Sequence, residues 1–182
     1  MMTSRQLIAL SIAVPVMALA GFFLHELGHW SMGEALGYDM QMTLNGVSPV
    51  DGAAQVSAMH ALWIKAGGPA VTLILAVLSL IVVRFSAVLG FAIAFFSLHM
   101  RITAYAISFF INPNDEASIG LELGVGPHLI HLIVIAALWI LALIVARRAR
   151  AGWLAWVIAF LTSSASIALV VMLLDPMIGR IL

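Results

Sequence analysis

The chain has 182 residues, of which 64% are apolar and 9% charged, and its formal net charge is zero. A soluble domain is about 45–50% apolar and about 25% charged. A water-soluble fold of this size could not bury so much apolar surface, so the bilayer must act as its solvent. No basic tract of the kind that binds nucleic acid is present, and with no cysteine the chain has no disulfide, thiolate ligand or Cys nucleophile.

Five apolar stretches, at about 7–36, 59–83, 88–111, 128–146 and 153–174, are each near or above the roughly 20 residues that cross the hydrocarbon. In the first, Arg5, the apolar run from Leu7 and Ala18-Leu19-Ala20 also resemble a signal peptide with a cleavage site. Cleavage there would strip His25 of its helix, and the segment reads instead as a retained membrane helix. Between the first two stretches, segment 38–57 changes character. Met40-Gln41-Met42-Thr43-Leu44 alternates apolar and polar, and Asn45-Gly46 then precedes Val47-Ser48-Pro49-Val50. Asn-Gly between such runs predicts a hairpin turn at positive φ, and Pro49, which cannot donate to a ladder, suits an edge strand. An ordinary extramembrane loop is the alternative. The fold class expected is an all-α membrane protein: one integral membrane domain over residues 1–182, a bundle of about five helices with a short β-hairpin-like segment after the first.

Near the end of the first stretch stand His25-Glu26-Leu27-Gly28-His29. Residues i and i+4 share a helix face, so the two imidazoles can hold one metal between them, and neutral imidazole suits zinc. Glu26, beside the first ligand, can take a proton from zinc-bound water and later return it to a leaving amine. The pattern also occurs by chance. However, ionisable residues cost roughly 2.5–3.5 kcal/mol each at the centre of a membrane helix, so a Glu between two histidines calls for a compensating function.

Zinc needs a third protein ligand, and the candidates are Glu34, Asp39, His60, His99, Asp115, Glu116, Glu122, His128 and His131. The best placed is Asp115 in the polar break Ile111-Asn112-Pro113-Asn114-Asp115-Glu116, provided that this irregular backbone lines a cavity. Composition alone would make the break a solvated turn.

The order of these features resembles that of site-2-protease-type intramembrane zinc metalloproteases, in particular the short prokaryotic members. The resemblance spans about residues 7–125, leaving 126–182 as additional helices. It rests on His25-Glu26-Leu27-Gly28-His29, the hairpin segment, Gly67-Gly68-Pro69-Ala70 and Asn112-Pro113-Asn114-Asp115. It implies that His25, His29 and Asp115 are zinc ligands, that Glu26 is the general base, and that the chain is a multi-pass protein of a prokaryotic cell (inner) membrane. The chain departs from the family in two places. Thr72 stands three positions after the Pro where Asn is frequent, and Glu116 follows the Asp where Gly is frequent, which makes Glu116 the substitute ligand.

Arg5, Arg84, Arg147, Arg148 and Arg150 fall at one end of a five-span bundle, with Lys65 and Arg180 toward the other. The positive-inside rule then places the N-terminus in the cytoplasm and His25 nearer the outer face. The resemblance implies the opposite side for the zinc.

Ser97, Arg101, Tyr105, Ser108 and Asn112 recur at helical spacing as a polar stripe on the third stretch. Arg101, deep in an apolar run, must face protein or water. It is read as a structural ion pair with Glu122 or Glu34, or else as a group that stabilises developing charge on substrate. His128 and His131, one turn apart, can orient the metal shell or a substrate, or simply line an interface. Gly67-Gly68-Pro69 at a helix start suits close packing.

The function expected is intramembrane zinc-dependent hydrolysis of peptide bonds in a membrane protein or membrane-proximal peptide, which adds as a strand to the 38–57 segment. The alternative is a non-enzymatic membrane metal-binding or metal-transport protein. That reading would need a polar path through both faces.

Overall fold

A computed structural model describes all 182 residues. Helix α1 is Ser4–Ala35, and strands β1 (Met40–Met42) and β2 (Val47–Pro49) follow it. Next come α2 (Ala58–Val82), α3 (Ala87–Phe110), the short α4 (Asp115–Glu122) and α5 (Leu129–Ala149). Helix α6 (Trp153–Leu169) runs through one π turn (Val170–Leu174) into α7 (Asp175–Ile178). Five helices are long and apolar enough to cross a membrane, and their limits lie within a few residues of those read from composition. Neither α4 nor the π turn was foreseen.

The starts of these helices follow from local chemistry. Thr3 and Gln6 form a reciprocal capping box on α1. Ser57 and Ser86 cap α2 and α3 by accepting from His60 N and Leu89 N. The outer faces are apolar, as lipid contact demands: Ile8, Ile12, Val16 and Leu19 of α1 are all exposed. Helix α3 is the axle of the bundle, with 67% of its span buried against 28–33% for the other four. Helix α5 packs on α3 and α6 packs on α1, so the helices after residue 126 complete the same bundle. Leu10, Val14, Ala76, Phe91, Leu98, Leu138 and Val145 form one apolar core toward the end where α1 begins.

The expected hairpin is present, with Met40, Gln41 and Met42 opposite Pro49, Ser48 and Val47. Its turn is not the two-residue form that Asn45-Gly46 predicts. Residues 43–46 form a four-residue connection closed by Thr43 N–H donating to Gly46 O at 2.9 Å, and Asn45 N–H donates to the Asp175 side chain at 3.0 Å. The loop is thus tied to α7. The outer edge of β1 is already filled: Ile181 N–H donates to Met42 O at 2.7 Å, and Met42 N–H to Leu182 O at 3.0 Å. By the alternation of an antiparallel ladder, Val47 of β2 points its N–H and C=O the other way. The open edge of the hairpin is therefore β2.

Candidate metal centre

His25 and His29 lie one turn apart on the face of α1 that packs against α2, and both are buried. The helices meet backbone to backbone here. A Cβ at Gly28 would lie 2.6 Å from Gly67 O, and one at Gly68 would lie 2.6 Å from His25 Nε2. The Gly67-Gly68 pair therefore makes room for both rings as well as for the helix contact.

Helix α2 also fixes the ring orientations. The Thr72 hydroxyl donates to Gly68 O at 3.2 Å, which leaves its oxygen to accept from His25 Nδ1–H at 3.0 Å. His29 Nδ1–H donates to Ile64 O at 2.7 Å, since a carbonyl can only accept. Both Nε2 atoms are then bare, and they face each other at 3.2 Å. Asp115 Oδ2 lies 3.2 Å from His25 Nε2 and 3.4 Å from His29 Nε2. Three acceptors so close repel one another unless a cation lies among them. His25, His29 and Asp115 thus form a cluster that could hold a metal ion.

Asp115 reaches this point because the polar break is tied back onto α3. Asn114 N–H donates to Ser108 Oγ at 2.9 Å, and its side-chain amide donates to Ala104 O at 3.0 Å.

Glu116 lies outside this cluster. It is fully buried and faces Arg101, whose Nη1 lies 3.2 Å from Oε1. Neither Glu122 nor Glu34 pairs with Arg101 as the sequence suggested: Glu122 is held by Lys65 at 2.6 Å, and Glu34 accepts from Met40 N at 2.8 Å. The same guanidinium also approaches Asp115 Oδ2 and His25 Nε2, each at 3.4 Å. His131 is buried, contacts Ser108 Oγ at 3.0 Å and has Nδ1 3.6 Å from Glu116, so it backs Glu116 and not the centre. His128 is exposed against the rings of Tyr105 and Phe109 and takes no part. His60 and His99 are bound elsewhere, to Tyr38 and Ser163. Asn112 lies beyond the end of α3, so the polar stripe stops at Ser108.

Glu26 is 6% exposed and lines a cavity of about 660 Å³ together with His25, His29 and Asp115. Asn45, Gly46 and Val47 of the hairpin form another wall, and Ile167 and Val171 close it from α6 and the π turn. The role of Thr72 was legible only as a departure from a motif, and the Ile64 carbonyl carries no sequence signal at all. Replacing Thr72 by Val should remove the acceptor for His25 and weaken metal binding about 10–100-fold, the usual cost of losing such an outer partner. A chelator-competition titration checks this, and unchanged affinity would show that the ring needs no anchor.

No protein-family model, characterised protein or solved structure matches the chain. Its class rests on fold and site: a bundle of five helices long and apolar enough to span a membrane, holding two histidines and a carboxylate able to bind a metal ion.

Proposed function

We propose that the protein is an intramembrane zinc metalloprotease of the site-2-protease type, resident in a prokaryotic cell membrane. The observation that carries this reading is the convergence of two bare imidazole nitrogens and one carboxylate oxygen beside Glu26, in a cavity bordered by an open strand edge. The donor atoms lie 3.2, 3.2 and 3.4 Å apart, close enough for one ion to touch all three, and two imidazoles with a carboxylate are a donor set that would suit zinc.

Zinc, when bound, supplies Lewis acidity that makes water acidic near neutral pH and polarises a carbonyl. The chain supplies the rest. Glu26 takes the proton from the attacking water and returns it to the leaving amine. Thr72 and Ile64 hold the two rings with Nε2 toward the centre, and Arg101 lies beside it, 3.4 Å from the same Asp115 Oδ2. A peptide must be extended to be cut, because a helix ties up its own carbonyls. The Val47 N–H and C=O at the cavity wall offer a strand edge for that purpose.

Transport is the weaker reading. It needs a polar path across the bundle, and beyond the cavity the helices close on the apolar core around Leu10, Val14 and Phe91.

The test is reconstitution with a membrane-spanning peptide in liposomes. Cleavage should stop with a chelator and return with stoichiometric zinc. Val47→Pro should slow cleavage by roughly two- to tenfold, matching the loss of one hydrogen bond worth about 0.5–1.5 kcal/mol, and leave zinc binding intact. Zinc flux into the vesicles without any cleavage would sink the hydrolytic reading.

A further inference from the structure

At the end of the bundle opposite the metal centre, charge is segregated. Arg5, Arg84, Arg147, Arg148 and Arg150 stand at the starts and ends of helices there, and all eight Asp and Glu residues lie in the site or at the hairpin end. The two side-chain ion pairs that lysine or arginine makes to a carboxylate outside the metal cluster, Lys65–Glu122 and Arg101–Glu116, both lie away from this end. Arg148 donates to Leu80 O at 3.2 Å, while Arg147 and Arg150 are exposed and without a polar side-chain partner.

Between α5 and α6 the same end carries an open groove of about 590 Å³. Its walls are apolar: Leu143 and the rings of Trp139 and Trp156, whose centroids are 6.2 Å apart. Arg147 and Arg150 form its mouth. Trp139 lies about 12 Å along the helix from Arg147, at about 1.5 Å per residue. The groove thus runs from the polar boundary into the hydrocarbon, cationic at one end and aromatic at the other. Arg150 also ends α5 in the left-handed region, at φ 53°, where glycine is the ordinary residue.

We propose that this groove binds an anionic phospholipid, its phosphate on Arg147 and Arg150 and an acyl chain along Leu143 and the two tryptophans. Basic pockets between membrane helices recognise such headgroups, and no carboxylate of this chain competes for the two guanidiniums. The site is remote from the metal cluster and stands whether or not the chain is a protease.

Native mass spectrometry of the purified full chain, exchanged into micelles doped with phosphatidylglycerol or phosphatidylcholine of matched chains, tests this. Wild type should retain one phosphatidylglycerol per chain with a preference of about tenfold or more, the effect of two cations on an anionic headgroup. R147Q/R150Q should reduce the preference to about twofold or less. R5Q/R84Q removes the same charge from the same end away from the groove and should keep it. R150G, which suits the backbone better, should weaken the preference with an unchanged or higher melting temperature. Equal loss in the two double variants would mean diffuse surface attraction and overturn the proposal. So would absence of preference, displacement of the lipid by inorganic phosphate, or a dimer seated on the groove without lipid.

Discussion

Replacing Glu26 by Gln should leave metal binding intact and abolish peptide cleavage. The atoms that could hold a metal belong to His25, His29 and Asp115, so the substitution touches none of them, and Gln keeps the volume of Glu. What it removes is the only carboxylate lining the cavity besides Asp115, and with it the acceptor for the water's proton. Loss of a general base costs on the order of 10²–10⁴-fold in rate. Stability should not fall. Glu26 is buried and pairs with no cation of the chain, and a buried carboxylate without such a partner is costly to keep. The measurements are metal stoichiometry, turnover of a reconstituted peptide and the thermal midpoint of the same preparation. Turnover within about tenfold of wild type would remove Glu26 from the chemistry, and loss of metal would make it a ligand.

The parts of this molecule legible in the sequence were those set by local rules. Length and apolarity mark a membrane helix wherever it stands, so the spans emerged nearly in place. The i, i+4 spacing alone puts His25 and His29 on one face. The hairpin was visible in alternation, but its turn was not, and neither was the contact from Asp175, 130 residues away, that Asn45 makes there. Helix α4 escaped notice because its eight residues, Asp115–Glu122, begin with two acids and look like part of a turn. Arg101 clearly needed a buried anion. Which anion depends on where three carboxylates end up: Lys65 takes Glu122 and the start of β1 takes Glu34, which leaves Glu116.

Two sequence arguments bear on the membrane side, and they oppose each other. The structure sharpens the charge argument without changing its direction. The arginine end and the metal end are opposite ends of the bundle: His25 lies about 32 Å along α1 from Ser4, at about 1.5 Å per residue. Whatever leaflet the arginines occupy, the metal centre opens toward the other face, with the hairpin and every exposed carboxylate.

Asp115 and Glu116 are neighbours in sequence, and their substitutions should fail in different ways. Asp115→Asn removes the anion from the centre, and metal affinity should fall by more than the 10–100-fold typical of outer partners. Glu116→Gln should leave the ligand atoms in place but strip Arg101 of its main partner. Arg101 is 3% exposed and its Nε has no hydrogen bond even in the intact protein. Breaking a buried ion pair from one side costs about 3–5 kcal/mol, a large share of the about 5–15 kcal/mol that holds a domain together. The double variant Arg101→Met with Glu116→Leu removes both charges and should recover most of that loss, since a buried pair replaced by apolar groups is often neutral. It should still bind metal through His25, His29 and Asp115. Denaturant unfolding in detergent and chelator-competition titration read the two effects separately. If Glu116→Gln lost the metal while Asp115→Asn kept it, the third ligand would be Glu116. If the double variant were as unstable as Glu116→Gln alone, the cost would lie in packing and not in an orphaned charge.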